Sequence, residues 1–423
     1  MKMKSYIFTA LLLFLGGCAG RTGGGDLINM QIIDRNGFTE TIGSKERLSP
    51  YSRVDFSKPQ PYQRVLRVFS RNEEGKSRSV LTSYHPNGQI WQWLDSIDGR
   101  AHGNFQEWHA NGRLRIDLHV IDGTADLTEL AQKSWLFEGK AAVFDENGNL
   151  QAEIFYEKGV LSAPSLHYHP NGNLQKRVPY VAGEIDGEVE LFNDQGKLLE
   201  KISYKRGVKE GLASGYWENG QLQYEEVYEN AFLKTARYLD RKGAHVATID
   251  KGTGFKAQFD PESGSLSELH ECQGGRSEGV VKLFSPGGCL KTVYKIKEGM
   301  KEGEEREYYP GSALTKILCT WHEDALQGPI KTWYPDGSAE SSCSYHQNKK
   351  QGLSFAWYRD GDLMLSEEYH QDSLVAGSYF ERGSKRPISK VVNGKGLASL
   401  FDPDGILNKK IPYEGGLPLL EGQ

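Results

Sequence analysis

Basic runs, long apolar runs and catalytic motifs are all scarce in this sequence. The 423 residues include 51 Lys and Arg against 56 Asp and Glu, for a formal net charge of −5. A mildly acidic chain without a basic stripe is a poor match for nucleic-acid binding. The sequence contains no Gly-x-Ser-x-Gly, zinc-protease or phosphate-loop pattern and no catalytic triad. It therefore predicts a protein that is not an enzyme and carries no cofactor.

The one clearly apolar run lies at the N-terminus. Tyr6 to Leu15 follows two lysines, is too short to span a bilayer, and ends in Leu15-Gly16-Gly17-Cys18. This ending resembles a bacterial lipobox, which implies removal of residues 1–17 and acylation of Cys18, for example with palmitate. Acyl chains there would anchor the protein to a membrane. Ala19 after the cysteine favours the outer over the inner membrane, and residues 18–25 form a tether. The alternative is an ordinary secretory signal.

A sequence repeat of about 24 residues occupies most of the remaining chain. An aromatic residue precedes a short turn that ends in glycine, and an aliphatic residue follows two places later, as in Tyr84-His-Pro-Asn-Gly88-Gln-Ile90. Fourteen such turns occur, which is typical of a repeat protein. The turn glycines are Gly88, Gly112, Gly148, Gly172, Gly196, Gly220, Gly243, Gly264, Gly288, Gly311, Gly337, Gly361, Gly383 and Gly405.

Each repeat is predicted to be a β-hairpin. A three-residue loop ending in glycine suits a type I turn followed by a left-handed residue, and it places the aromatic four before glycine opposite the aliphatic two after it. Tyrosine often occurs eight residues after the glycine, and alternation predicts that the positions −4, +2 and +8 share one face. The fold class is therefore all-β, an elongated, twisted antiparallel β-meander of about fourteen 24-residue hairpins.

Three segments do not follow the 24-residue repeat. Residues 26–79 are predicted to be an N-terminal β cap that covers the first sheet edge, ahead of the repeat array at 80–413. A longer gap inside the array, near 122–134, contains Asp126-Leu-Thr-Glu129, which predicts a short helix with Asp126 as its N-cap. Residues 414–423 form a C-terminal tail.

The repeats resemble bacterial MORN-2 repeats, the type found in YwqK-family antitoxins. The shared pattern is glycine, strand, aromatic pair, Asn/Asp-Gly-x-Leu, strand, Tyr, and it stands at Gly187 to Gly207 and at Gly352 to Tyr369. The resemblance implies a binding or scaffold protein and says little about its partner. Choline- and glucan-binding wall repeats also carry aromatic pairs before such turns, so a wall-polysaccharide binder stays an alternative.

Candidate sites are few. Successive repeats place their cysteines and histidines too far apart for an intrachain disulfide or a shared metal ion. The aromatic stripe is either core or a ligand platform. As a platform it would expose Trp108, Tyr168, Tyr216, Trp333, Trp357 and Tyr379 as a candidate binding face. The sequence thus predicts a lipid-anchored envelope protein whose repeat sheet binds a protein partner, with an antitoxin-like sequestering protein and a polymer binder as alternatives.

Overall fold

The structure is a computed structural model that describes residues 27–60 and 63–419. The predicted signal segment, Cys18, the tether and residues 420–423 lie outside the described residues. The chain forms two compact units, Met1–Glu184 and Ile185–Gln423. Each unit is an antiparallel meander of short strands, as the sequence predicts.

The first unit contains most of the first fourteen strands and two one-turn helices. The strands pair in the order β2, β1, β3 to β9, β11, β12, with β10 on β9, while β13 and β14 form a small sheet of their own. The elements are β1 (Asn29–Asp34), β2 (Thr39–Ile42), α1 (Lys45–Leu48), β3 (Gln63–Arg71), β4 (Ser77–Tyr84), β5 (Ile90–Ile97), β6 (Arg100–Trp108), β7 (Leu114–Asp122), α2 (Glu129–Gln132), β8 (Leu136–Phe144), β9 (Leu150–Glu157), β10 (Val160–Leu161), β11 (Ser165–Tyr168), β12 (Leu174–Val178), β13 (Tyr180–Val181) and β14 (Glu184–Ile185). A 3₁₀ turn follows α1 at Ser49–Arg53.

The second unit continues with strands that pair along the chain. They are β15 (Gly187–Phe192), β16 (Leu198–Lys205), β17 (Val208–Tyr216), β18 (Leu222–Glu229), β19 (Phe232–Leu239), β20 (His245–Asp250), β21 (Thr253–Phe259), β22 (Leu266–Gln273), β23 (Arg276–Phe284), β24 (Leu290–Lys297), β25 (Met300–Lys301), β26 (Gly303–Tyr308), β27 (Thr315–His322), β28 (Ala325–Leu326), β29 (Gly328–Trp333), β30 (Ala339–His346), β31 (Lys349–Trp357), β32 (Leu363–His370), β33 (Ser373–Phe380), β34 (Pro387–Val392), β35 (Lys395–Phe401), β36 (Leu407–Glu414) and β37 (Leu417–Pro418). The two-residue strands β25 and β28 precede glycines that interrupt their hairpins.

The fourteen predicted hairpin turns are all present. Every turn glycine has a positive φ, for example 88° at Gly88 and 89° at Gly361, which a side chain would strain. The predicted aromatic–aliphatic pairs form across most of them. Tyr84 faces Ile90 and Trp357 faces Leu363, and the same pairing recurs from hairpin to hairpin. The all-β hairpin meander is therefore confirmed.

The predicted sharing of one face by positions −4, +2 and +8 is wrong, because a β-bulge follows each turn. In the hairpin of Gly220, Tyr216 pairs with Leu222, but the next residue back, Gly215, pairs with Tyr224. The extra residue reverses the alternation, so Tyr228 at +8 lies on the opposite face from Tyr216. Tyr228 belongs to the core, whereas Leu212, on the same face as Tyr216, is 47% exposed.

Each unit therefore has two distinct faces. Positions are counted from the turn glycine of each hairpin. The face that carries the aromatic residues at −4 and the residues at +2, +5 and +7 is called the stripe face. The opposite face, which carries the residues at +4, +6 and +8, is called the core face. On the core face of the second unit, residues such as Ala213, Tyr238, Ile249 and Cys272 pack into one cluster. Small residues there admit the tyrosine rings, and a Cβ on Gly215 would lie 2.1 Å from the Tyr224 ring.

The N-terminal segment is part of the sheet as well as a cover. β1 pairs with both β2 and β3, so β2 becomes the edge strand of the described sheet. The residues after β2 lie against the stripe face, where Leu48 and Phe56 pack with Tyr84, whose hydroxyl donates to the Phe56 carbonyl oxygen at 2.8 Å. The N-terminal segment thus pairs along the edge of β4 through β3 and also packs on the stripe face.

The predicted insertion contains a single-turn helix, α2. Its N-cap is Thr128, whose Oγ1 accepts from the Ala131 amide, and not Asp126 as predicted. Asp126 instead accepts from the Thr128 amide at 3.0 Å, one step before the helix. Trp135 follows and packs edge-on against Phe105 at 4.9 Å between ring centroids. The insertion therefore covers the core face of the first unit.

Successive hairpins are joined by hydrogen bonds from the residue three before the turn glycine. Tyr334 donates to the Trp357 carbonyl oxygen at 2.7 Å, and Tyr358 donates to the Phe380 carbonyl oxygen at 2.7 Å. Trp217, His85 and His109 make the equivalent contact to the next hairpin, and so does Tyr309, which lies two residues before Gly311. These hydrogen bonds explain why two aromatic residues often precede the turn. The first pairs within its own hairpin, and the second contacts the next hairpin.

Candidate functional site

The core face of the second unit contains two carboxylate cages with the same hydrogen bonds. In the first cage, Glu226 accepts from Tyr228 at 2.7 Å and from Tyr238 at 2.6 Å, and Lys256 lies 2.9 Å away. Burial raises the pKa of the Glu226 carboxyl, but Lys256 and the two hydroxyls outweigh it, so that this pKa lies below its usual value. Burial and the Glu226 charge raise the pKa of both tyrosines.

The second cage repeats the first one further along the chain. Glu367 accepts from Tyr369 at 3.0 Å and from Tyr379 at 2.7 Å. The position equivalent to Lys256 is the buried Ala398, so no lysine occupies it. Both cages are closed by three stacked return turns. Gly394 donates to the Val375 carbonyl oxygen, and Gly416 donates to that of Gly394, each at 2.9 Å. These carboxylates are fully engaged in holding the fold.

Tyr379 is therefore a core residue and not part of a binding face. Its exposed fraction is 0%, and its hydroxyl is held by Glu367. The prediction grouped it with the stripe because it stands four before Gly383. The turn at Gly383 is longer, and Phe380 takes the place opposite Pro387 instead, which moves Tyr379 to the core face.

The other five candidates lie on the stripe face of their units and are half-buried. Trp108 packs against the N-terminal cluster. Tyr168 donates to Glu153 at 2.8 Å, and burial with this carboxylate raises its pKa to about 12. In the second unit Trp357 stacks on Phe355 with 6.0 Å between ring centroids. The stripe thus combines packing with partly exposed ring surface.

Tyr216 and Trp333 have the same place in their hairpins, opposite Leu222 and Ala339. The pairing register also links residues of neighbouring hairpins into rows that run across the strands of the second unit. One row, six or five residues before each turn glycine and five or seven after it, continues without a break from Lys282 on β23 to Lys390 on β34.

A shallow depression interrupts the stripe face near the end of the second unit. We call it the β33 depression, because its floor is the small-residue stretch Ala376-Gly377-Ser378. Its volume is about 270 Å³, and its rim includes Leu353, Ser366, Glu368, Lys390 and Val392. Leu353 is 53% and Val392 is 59% exposed. The depression is therefore lined by polar and apolar residues alike, with Leu353 and Val392 as its exposed apolar side chains and Glu368 and Lys390 as charged neighbours.

The equivalent place one cage earlier carries an ion pair. There Glu225 pairs with Arg237 across β18 and β19, and their charged groups lie 3.4 Å apart. The same register in the second copy pairs Ser366 with Ser378. Two serines therefore stand where the first copy has an ion pair, although the tyrosine cage beneath has the same hydrogen bonds in both copies.

Other site chemistry is limited in the described ranges 27–60 and 63–419. Within them no three His, Cys, Asp or Glu side chains converge as metal ligands would. The thiols of Cys272, Cys289, Cys319 and Cys343 are free, with the first and third buried. No helix of these ranges has the length and apolar character that crossing a membrane requires.

Comparison with known families identifies the repeat type. The family described as MORN repeat variant matches residues 137–158, 163–182, 185–206 and 209–230. Residues 137–230 therefore contain four MORN repeats of this variant. The chain is a repeat protein with a surface of the kind that such proteins use for binding.

Comparisons with individual proteins are less informative. No protein with a curated description matches the chain. A chain of the crystal structure of TcdB2-TccC3-Cdc42 is 9% identical, over 90% of this chain and 26% of that one, with a TM-score of 0.14. A porin-like protein from Bacteroides uniformis is 9% identical over 72% of this chain and 94% of that one, with a TM-score of 0.12. This chain spans about a quarter of the first protein, and neither likeness supports an argument.

Proposed function

We propose that this chain is a non-enzymatic binding protein whose stripe face receives a protein partner, with the β33 depression as the anchor point. The observation that carries the proposal is the open depression beside exposed Leu353 and Val392. Protein interfaces concentrate their binding energy in a few apolar or aromatic side chains that fill such recesses. A partner would insert one apolar side chain between these two residues.

Charge at the rim supports an orientation for the partner. Glu368 lies opposite Ala376 on the side of Leu353, and Lys390 lies opposite Ser378 on the other side. An acid and a base on opposite sides of the depression favour a partner with complementary charges on either side of its anchor. The floor of small residues lets a bulky anchor approach the backbone closely.

Two variants provide a matched test. Ser366→Glu with Ser378→Arg rebuilds the ion pair that fills the equivalent place at Glu225 and Arg237, so the fold accepts it. Thr235→Arg adds an exposed arginine to the stripe face away from the depression. The partner is first isolated on the wild-type chain from its own source and then titrated by calorimetry.

The proposal predicts that the Ser366/Ser378 double variant loses most of the affinity and that Thr235→Arg keeps it. A loss of about 2 kcal/mol or more is expected from an interface hot spot. Equal affinities of the double variant and wild type would place the partner elsewhere. Hydrogen exchange of the tyrosine cage in both variants checks that the fold is intact.

We also propose that the chain is a lipoprotein of the cell envelope, anchored through Cys18 in the outer rather than the inner membrane. The support is the sequence Leu15-Gly16-Gly17-Cys18 after a short apolar run. Labelling cells with an alkyne analogue of palmitate should mark the wild type and not Cys18→Ser. A label that persists in the variant would contradict acylation at this residue, and it would leave the proposed binding surface untouched.

The resemblance to YwqK-family antitoxins suggests a narrower version of the same proposal. A sequestering protein would bind one partner in a fixed ratio, and deleting the binding protein would expose the toxicity of that partner. A scaffold would instead tolerate deletion and bring two components together. Growth of a deletion strain with and without the isolated partner separates these two versions.

A further inference from the structure

A row of basic residues crosses the middle of the second unit on the stripe face. Lys282, Arg306 and Lys331 lie six or five residues before their turn glycines, and each faces an uncharged residue on the next strand. Cross-strand pairing joins these residues into one line across five strands, in the order Lys282, Val293, Arg306, Leu318 and Lys331. We call Lys282, Arg306 and Lys331 the basic row.

The spacing of the basic row is regular. Its members are two strands apart, which is about 9.6 Å at the usual spacing of β-strands. Val293 and Leu318 lie between them and are half-buried. Lys295 projects from the same face one row away and is exposed. The positive charges are therefore a linear array at constant pitch.

Each member of the basic row has an aromatic residue beside it. Phe284, Tyr308 and Trp333 each follow their basic residue by two positions on the same strand, so that they project from the same face. All three rings are half-buried. Three successive hairpins thus present the same pair, a cation next to a partly exposed ring.

The charges of the basic row are not balanced within the sheet. In the earlier hairpins of this unit the same row pairs Glu190 with Lys201 and Glu225 with Arg237. Among the described residues no carboxylate lies within ion-pair distance of Lys282 or Lys331, and Arg306 has only the exposed Glu304 at 3.6 Å. The Lys282 ammonium instead lies over the Phe255 ring at 5.4 Å.

We propose that the basic row and its three aromatic rings form a binding site for a linear acidic polysaccharide. Sugar rings pack on flat aromatic faces, and acidic groups pair with lysine and arginine. A polymer of disaccharides with one carboxylate each repeats at a pitch comparable to that of the row. Each hairpin then binds one disaccharide. This site lies apart from the β33 depression and does not rest on the proposed protein partner.

The test uses hyaluronan oligosaccharides, which carry one carboxylate per disaccharide. The full chain is titrated by calorimetry and by the change in its tryptophan fluorescence, at low and at physiological salt. The hexasaccharide should bind and the disaccharide should bind far more weakly, because three pairs act together. Added salt should weaken the binding, and neutral chitohexaose should not compete.

Two sets of substitutions separate the row from general charge. Lys282→Gln, Arg306→Gln and Lys331→Gln together should weaken hexasaccharide binding about tenfold or more, because three exposed ion pairs are lost. The control replaces Lys251, Lys349 and Lys385 by Gln and removes the same charge elsewhere. Glu304→Gln should strengthen binding, because it frees Arg306. A Phe284→Leu and Tyr308→Leu variant tests the aromatic contribution.

Several outcomes would overturn the proposal. Equal losses in the row variant and the control would show a general charge effect. Equal affinity for poly-glutamate of the same charge would show that the basic row binds an acidic protein segment. Equal affinity for single-stranded DNA would show that it binds any polyanion. Absence of hexasaccharide binding at low salt would remove the site altogether.

Discussion

Replacing Glu226 by Ala is the most direct test of the two tyrosine cages. The Glu226 side chain is 4% exposed and accepts from two tyrosine hydroxyls and from Lys256. Its removal leaves two buried hydroxyls and one ammonium without their acceptor. Breaking a buried ion pair costs about 3–5 kcal/mol. The side chain of Lys256 is 31% exposed, and solvation there places the cost near the lower end.

The second cage supplies the matched comparison. Glu367→Ala orphans the hydroxyls of Tyr369 and Tyr379 but leaves no lysine behind. Each unsatisfied buried donor costs about 1–3 kcal/mol, and both variants orphan two hydroxyls, so the lysine is the difference between them. We therefore expect Glu226→Ala to destabilise its surroundings more than Glu367→Ala does. Adding Lys256→Met to Glu226→Ala should recover part of the difference, because it removes the unpaired charge.

Hydrogen exchange measures both effects locally, which suits a repeat protein whose hairpins need not unfold together. Peptides covering 222–254 report on the first cage and peptides covering 363–396 on the second. A smaller effect at Glu226 than at Glu367, or no recovery on removing the lysine, would refute the assigned role of the ion pair.

Three further predictions follow from local geometry. The pKa of Glu226 is lowered in the folded chain, so the stability that this carboxylate contributes is present above the unfolded pKa of about 4.3 and is lost as the pH falls through the folded pKa. Hydrogen exchange near Lys256 should therefore accelerate below the folded pKa, and it should accelerate less in Glu226→Gln. Ala231 has a φ of 66°, and Ala231→Gly should stabilise its turn by about 1 kcal/mol in urea unfolding, whereas a loss would show that the turn is unstrained. Tyr334→Phe removes the hydrogen bond to the Trp357 carbonyl oxygen and should cost about 1 kcal/mol, with unchanged exchange at that turn as the contrary result.

The turn glycines made the hairpins predictable from the sequence. A local signal of five to seven residues fixes both the turn and its first cross-strand pair, as at Tyr84 and Ile90. The face of the +8 tyrosines was not predictable in this way. One bulged residue, such as Gln223, reverses the alternation of side chains between the two faces after each turn. The type of this residue does not predict the bulge.

The candidate sites depended on register as well as on sequence. Lys282, Arg306 and Lys331 stand more than twenty residues apart along the chain, and only the strand pairing brings them into one row. For that reason the sequence looked free of a basic stripe. Tyr379 shows the opposite error, because a longer turn moved it from the expected face into the core.

The central claim is that the stripe face of the second unit contacts a protein partner at the β33 depression. The most direct measurement is photo-crosslinking in the native cell, with a benzophenone amino acid at Ser378 and, in a separate strain, at Thr235. We expect one discrete protein adduct from position 378 that disappears when Leu353 is replaced by Glu. Absence of an adduct from position 378, or the same adducts from both positions, would contradict it.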